Sequence, residues 1–267
     1  MYKAFFDMKN EPFTQSIPTS CLYIHHHLDE ILGRLETVAD KQLFATVTAD
    51  VGCGKTTILR RFRDSLDRNH YLCFYLSERA LRPRWLYNGL LEQISGEQRF
   101  QSGEARRLLH QRLRHIRLLE GKKIVTIIDE SHLLGRDTIE ELRFLLNDEM
   151  DSQNPMALIL SGQNDLWDKL RKQVFTAVRQ RIDIKCEIPQ MDRSQTAQYL
   201  CAHLDYASGR KDIFTDKAVD VIYHFSAGSP RAVNKVCYHA LTCAWQRSLR
   251  IIDDHLINQV IEHELAC

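Results

Sequence analysis

The chain has 267 residues, 44% of them apolar and 27% charged, the make-up of an ordinary folded protein with one large domain or a large and a small one. Its formal net charge is only +1, so a nucleic-acid role cannot rest on total charge and would have to rest on local clustering. No apolar run approaches the roughly 20 residues that cross a bilayer, and the start Met1-Tyr2-Lys3-Ala4-Phe5-Phe6-Asp7 lacks a basic segment before an apolar core. A secretory signal and a membrane partner are therefore not expected, and the expected location is cytoplasmic.

Eight cysteines are spread from Cys21 to Cys267 with no C-x-x-C pair among them, which reads as reduced, mostly buried thiols rather than a metal or disulfide framework. The run His25-His26-His27 reads as an exposed helix start. Before it, Phe5, Phe6, Pro12, Phe13 and Pro18 suggest an extended arm that packs its aromatics onto a body. Leu28, Ile31, Leu32 and Leu35 then recur at helical spacing, predicting a helix over 27–40. Short apolar, β-branched runs predict strands at 43–48, 71–76, 124–128, 157–160 and 182–186, with helical stretches between them. Such alternation implies a parallel sheet with helices on its faces. After Pro189 the pattern changes, and 194–207, 215–225, 230–247 and 253–264 all read as helices. The composition shift near Ile188-Pro189 is the expected boundary between an α/β body and a small helical domain.

Two stretches carry recognisable chemistry. The first is Ala49-Asp50-Val51-Gly52-Cys53-Gly54-Lys55-Thr56-Thr57, a phosphate-binding turn between a strand and a helix, with Ala49 where the usual pattern has its first glycine. Gly52 and Gly54 allow backbone angles that let successive N–H groups converge on phosphate oxygens. Lys55 can bridge the β- and γ-phosphates, Thr56 can ligate Mg²⁺, and the following helix offers its N-terminus to the anion. The second is Ile124-Val125-Thr126-Ile127-Ile128-Asp129-Glu130, an apolar strand ending in two acids at the sheet edge where ligands bind. Asp129 can hold Mg²⁺ and Glu130 can polarise a water for attack on the γ-phosphate. Taken alone, Asp129-Glu130 also reads, less readily, as the cap of the next helix. Together with the lysine turn, it supplies the second half of a site for ATP and Mg²⁺.

These motifs, with Phe5-Phe6-Asp7-Met8-Lys9-Asn10-Glu11-Pro12-Phe13, Ile128-Asp129-Glu130-Ser131-His132-Leu133-Leu134, Asp151-Ser152-Gln153-Asn154-Pro155, Ser161-Gly162-Gln163, Arg179-Gln180-Arg181 and Gly228-Ser229-Pro230-Arg231, resemble the AAA+ ATPases. The similarity is to the branch that holds the general-secretion-pathway A ATPase and its transposon-borne relatives, and it runs along nearly the whole chain. It implies an arm over 1–26, an α/β ATPase core over 27–189 and an all-α lid over 190–267. It also implies roles. Gln163 looks like sensor 1, and Arg181 like an arginine finger offered to a neighbouring subunit, with Arg179 as its rival. Arg231 looks like sensor 2, shared between catalysis and nucleotide binding. The arm around Pro12-Phe13 either lines the adenine pocket or is buried packing. An arginine acting across an interface implies an ATP-dependent oligomer, either a ring or a filament.

Two arginine clusters bear on what the ATPase acts on. Six arginines and one acid, Glu104, lie between Arg99 and Arg117. On a helix, Ala105, Leu108, Leu109, Leu113, Ile116 and Leu119 share one face, and Arg106, Arg107, His110, Arg114 and Arg117 gather on the opposite flank. That flank reads either as a solvated face or as a DNA contact. Arg79, Arg82 and Arg84, beside Trp85, are the expected contacts to double-stranded DNA, bound without base readout and therefore weakened by salt. The first functional expectation is an ATP-dependent DNA transposition helper, like relatives of the phage Mu B protein, that recruits or activates a transposase. The second is a secretion-pathway ATPase; relatives of that kind carry a transmembrane helix and a wall-binding domain beyond the core, for which a chain ending at Cys267 leaves no room. The third is a nucleotide-dependent switch, against which Glu130 and Gln163 together argue.

Overall fold

The computed structural model describes residues 2–77, 81–147 and 154–265. They form two compact units, one of Leu28–Ala49 and Lys55–Ile188, the other of Met1–His27, Asp50–Gly54 and Pro189–Cys267. In chain order the elements are α1 (Tyr2–Phe5), α2 (His26–Lys41), β1 (Phe44–Ala49), α3 (Lys55–Ser65), β2 (Tyr71–Leu76), α4 (Pro83–Ser95), α5 (Ser102–Leu119) and β3 (Lys123–Ile128). Then come α6 (Arg136–Leu145), β4 (Ala157–Gly162), α7 (Asp165–Arg171), α8 (Thr176–Arg179) and β5 (Ile184–Ile188). The last four helices are α9 (Arg193–Tyr206), α10 (Asp216–Ser226), α11 (Pro230–Gln246) and α12 (Asp254–Val260).

The first unit is built on a five-stranded sheet in the order β2-β3-β4-β1-β5, with every pairing parallel. Strands buried on both faces need apolar side chains on both, and β1 and β4 are buried at every position. Phe44, Ile124, Ile128, Leu158 and Leu160 from the strands join Leu86, Leu90, Leu109, Leu113 and Leu142 from the helices in one core. Parallel register places Ile128 beside Leu76 on one side and Leu160 on the other. The residues that follow these three positions therefore emerge together at one sheet edge.

The other unit has its own core. Phe6, Met8 and Phe13 of the N-terminal segment pack with Leu200, Leu204, Val233, Leu241 and Ile257 of the terminal helices. Its helix starts are set by local chemistry. Asp192 and Gln195 make a reciprocal capping box, Thr215 and Asp253 accept from backbone N–H groups, and Pro230 opens α11 at a position that needs no donor.

Four expectations need correction. The N-terminal segment is not simply extended, because Tyr2–Phe5 makes a helical turn. β5 lies two residues later than the sequence suggests, since Arg181 and Ile182 are used in the turn after α8. The final helix keeps α geometry only to Val260 and continues as a π turn, Ile261–Leu265. His26 and His27 are exposed, but His25 is buried. Among the described residues no helix is long and apolar enough to cross a membrane.

Candidate functional site

At the sheet edge, Asp129 follows β3 directly and is only 3% exposed. All four of its neighbouring donors serve it. Oδ1 accepts from Ser161 Oγ at 2.7 Å and from the Glu130 N–H at 2.9 Å. Oδ2 accepts from Tyr75 Oη at 2.8 Å and from Thr56 Oγ1 at 3.1 Å. Burial by itself drives this carboxyl towards neutrality, but the hydrogen bonds from Ser161, Tyr75, Glu130 and Thr56 outweigh it and hold Asp129 below the usual carboxylate range. Tyr75 is pushed the other way, by burial and then by its bond to Asp129, so its phenol stays a neutral donor. Thr56 sits in the first turn of α3 beside Lys55, which is 8% exposed. A hydroxyl and an ionised carboxylate 3.1 Å apart make a hard-oxygen pair of the kind that holds Mg²⁺.

Glu130 adopts left-handed backbone geometry, φ 52 and ψ 31. For a residue with a side chain this costs about 1–3 kcal/mol, strain that tends to collect where a side chain must be aimed. Its carboxylate lies 3.6 Å from Nδ1 of the mostly buried His132, and the Gln163 N–H points at the same nitrogen from 3.5 Å. The loop is braced by Lys169, whose ammonium donates to the carbonyls of His132 at 2.8 Å and Leu134 at 2.6 Å. Gly162 allows a close approach here, since a Cβ would lie 3.1 Å from the His132 nitrogen. The sequence-predicted Thr56, Asp129, Glu130 and Gln163 are thus brought together, joined by Tyr75, Ser161 and His132, whose parts motif reading missed. Tyr75 could have been found by register, as it is the last β2 position but one and pairs with Ile127.

The turn Asp50–Gly54 belongs to the helical unit. Gly52 and Gly54 have φ of +85 and +84, the positive values that a converging N–H turn needs. The Gly52 carbonyl accepts from the Arg231 N–H at 3.2 Å, and a Cβ on Gly52 would lie 2.7 Å from Ser229 Oγ and 3.0 Å from Arg231 Cβ. The turn and the Gly228-Ser229-Pro230-Arg231 motif are therefore in direct contact. Asp50 accepts from Gln190 Nε2 at 3.3 Å, Val51 is exposed and Cys53 is buried. Thr57 follows in α3 and is half-buried.

The remaining candidates are placed as follows. Arg181 lies in the turn before β5, its N–H bonded to the Val178 carbonyl, while Arg179 reaches the Arg171 carbonyl at 2.9 Å. Phe13 is buried, stacked on His203 with ring centroids 5.3 Å apart, so it serves packing. Arg82 is exposed just before α4, and the Arg84 guanidinium lies 4.8 Å from the Trp85 ring and 5.0 Å from that of Phe100. Arg79 and Asp151-Ser152-Gln153 lie outside the described residues.

Comparison with known proteins bears on the family. The model of the AAA domain matches residues 38–170, the stretch that holds the lysine turn, Asp129-Glu130 and Gln163. The chain carries an AAA domain. Around this AAA domain, 251 residues are 29% identical to General secretion pathway protein A of Aeromonas hydrophila, covering 92% of this chain and 45% of that protein. The chain thus spans a little under half the length of its curated relative. Among solved structures, the ORC2 protein of Aeropyrum pernix superposes with a TM-score of 0.66 at 15% identity, covering 98% of this chain and 72% of the other. Drosophila ORC, solved bound to DNA, gives 0.68 at 16%, covering 100% and 65%. The RuvB Holliday junction branch migration motor of Thermotoga maritima gives 0.59 at 14%, covering 90% and 69%. At such identities the likeness is one of fold, the AAA+ P-loop NTPase fold.

Proposed function

We propose that this chain binds and hydrolyses ATP, as an AAA+ ATPase of the general-secretion-pathway A type. The observation that carries the reading is the 3.1 Å contact between Thr56 Oγ1 and the ionised Asp129, at the head of the helix that begins with Lys55. In this reading the backbone N–H groups of 50–57 and the Lys55 ammonium bind the phosphates. Thr56 and Asp129 hold Mg²⁺, which when bound neutralises charge on the phosphate oxygens. Glu130, aimed by its strained backbone, takes the proton of the attacking water, and Gln163 orients that water. Arg231, whose backbone is tied to Gly52, reports nucleotide state to the helical domain. Arg181 completes a neighbouring subunit's site, with Arg179 as the rival finger, and stabilises charge that develops on the transferred phosphoryl group. The test is nucleotide binding measured beside turnover. Lys55→Ala should lose binding, and Glu130→Gln should bind ATP but turn it over about 10²–10⁴-fold more slowly. Undiminished turnover by folded Glu130→Gln would refute the assignment of the base.

The curated relative is a secretion-pathway protein, so the secretion-type reading is better supported than the transposition helper that the sequence puts first. The second reading, an ATPase that acts on double-stranded DNA with a transposase as client, is favoured by one observation. The Arg84 guanidinium is held against the exposed rings of Trp85 and Phe100, a cationic and aromatic cluster at the surface. Turnover measured with and without duplex DNA across a salt series separates the two, since DNA-independent turnover with no DNA retention removes the second.

A further inference from the structure

A cavity of about 620 Å³ opens beside α5 and the end of α6, far in sequence from every group placed at the nucleotide. Its wall is a single stripe of α5. Gly103, Arg106, Arg107, His110 and Arg114 recur at spacings of three and four, so they face one side. The opposite side of the same helix is the buried row Ala105, Leu109, Leu113 and Ile116. Phe144, at the end of α6, closes the cavity, and among the described residues none that lines it is acidic. Arg106 is preorganised there. Its guanidinium lies 5.4 Å from the Phe144 ring and 3.5 Å from Glu141, while Tyr87 Oη donates to Glu141 at 2.5 Å. A concave wall of one sign focuses its field into the opening.

We propose that this cavity is a docking site for the phosphodiester backbone of a nucleic-acid duplex. From Arg106 to Arg114 the stripe runs about 12 Å along the helix, at about 1.5 Å per residue. Phosphates recur regularly along a nucleic-acid strand, so a row of this length can face more than one of them. A linear row of cations matches a regular polyanion. An acidic protein partner would instead call for an apolar anchor pocket, and among the described lining residues Phe144 is the one large apolar side chain, with the Arg106 guanidinium 5.4 Å from its ring. Phe100, against which Arg84 packs, lies two residues before the start of α5. The inference rests on the nucleic-acid reading above and adds to it the second half of the contact surface.

The test is binding of a fluorescent duplex of mixed sequence to the full chain with ATP, across a salt series, for wild type and for Arg107→Gln with Arg114→Gln. Both side chains are exposed, and neither belongs to the nucleotide site. Loss of two phosphate contacts should lower the magnitude of the log–log salt slope by about 2 and weaken binding on the order of 50-fold at 0.1 M salt. ATP turnover without DNA should not change. If wild type binds the duplex and the double variant matches it in affinity and slope, the cavity assignment is overturned while the DNA reading stands. If wild type does not retain the duplex, the DNA reading itself falls and takes the cavity with it. Preference of the wild type for an acidic peptide or anionic lipid vesicles over the duplex, lost in the double variant, overturns the choice of partner.

Discussion

Gly228 is the position where one methyl group should do the most damage. Its φ is +77, and a Cβ there would lie 1.9 Å from the Met191 carbonyl oxygen and 2.8 Å from the carbonyl carbon. That is about 1.5 Å short of the 3.4 Å at which ordinary contact begins. The obstacle is backbone, and it is pinned, because the Met191 N–H donates to the Gly228 carbonyl at 3.1 Å. Gly96, which closes α4 at φ +67 with nothing within 4 Å of a built Cβ, is the control. Gly96→Ala carries only the left-handed penalty of about 1–2 kcal/mol, partly offset by about 0.4–1 kcal/mol from a stiffer unfolded chain. Gly228→Ala carries the same penalty, and the two backbones must also part, which breaks the Met191 bond and opens packing around it. The total should exceed ~4 kcal/mol, the range reserved for forced steric change. Scanning calorimetry reads both. At roughly 2–4 °C per kcal/mol, Gly96→Ala should lower Tm by no more than about 5 °C and Gly228→Ala by more than about 10 °C. If the two variants melt within about 3 °C of one another, the Gly228 argument is wrong.

Three further outcomes follow from the site. Asp129 is held below the usual carboxylate range, so its stabilisation is present above the unfolded pKa near ~4 and is lost as pH falls through the folded value. Ser161→Ala removes the 2.7 Å donor, and urea unfolding should show it less stable than wild type by about 1.5–3 kcal/mol at pH 7, with the gap narrowing as pH falls through the folded Asp129 value; a gap that does not change with pH would mean that Ser161 acts through packing alone. Gly52→Ala forces a Cβ against Ser229 and Arg231 at positive φ, so nucleotide affinity should fall while the sheet unit keeps its far-UV signal, and unchanged affinity in calorimetric titration would count against the turn. Mixing Lys55→Ala with Arg181→Ala should restore ATP turnover if the finger acts across an interface, and no restoration with both variants folded would count against Arg181 acting there.

Strand positions could be read closely because β1 to β4 are largely apolar runs and β5 alternates, and register did the rest. The pairing of Leu76, Ile128 and Leu160 follows from a parallel sheet whose strands all end at one edge. What lay beyond the sequence was the filling of that edge. Ser161 stands in a quoted motif, yet nothing in Ser161-Gly162-Gln163 says that the serine rather than the glutamine would bond Asp129. Tyr75 sits in an ordinary strand, and only the register of β2 on β3 brings it to Asp129. Phe13 could not be assigned between pocket and packing because its partner His203 is 190 residues away, and such a contact leaves no local periodicity. β5 was misplaced by two residues because Ile182 continues its alternation with Ile184 and Cys186, so hydrophobic pattern alone cannot find where the turn stops.

The hydrogen bonding at Asp129 also explains how one site can be built before any ligand enters it. A buried carboxylate without donors would take up a proton and lose its use as a cation ligand. Ser161, Tyr75 and the Glu130 N–H keep it charged. Thr56 differs from them. Its hydroxyl gives its one proton to Asp129 and retains its lone pairs, so the same group can stabilise the acid and still face a cation. Valine at position 56 would keep the shape and lose both roles, whereas serine would keep both and lose only a methyl group. That contrast is specific to a hydroxyl that both donates and accepts, and a purely structural threonine would show no such preference for serine over valine.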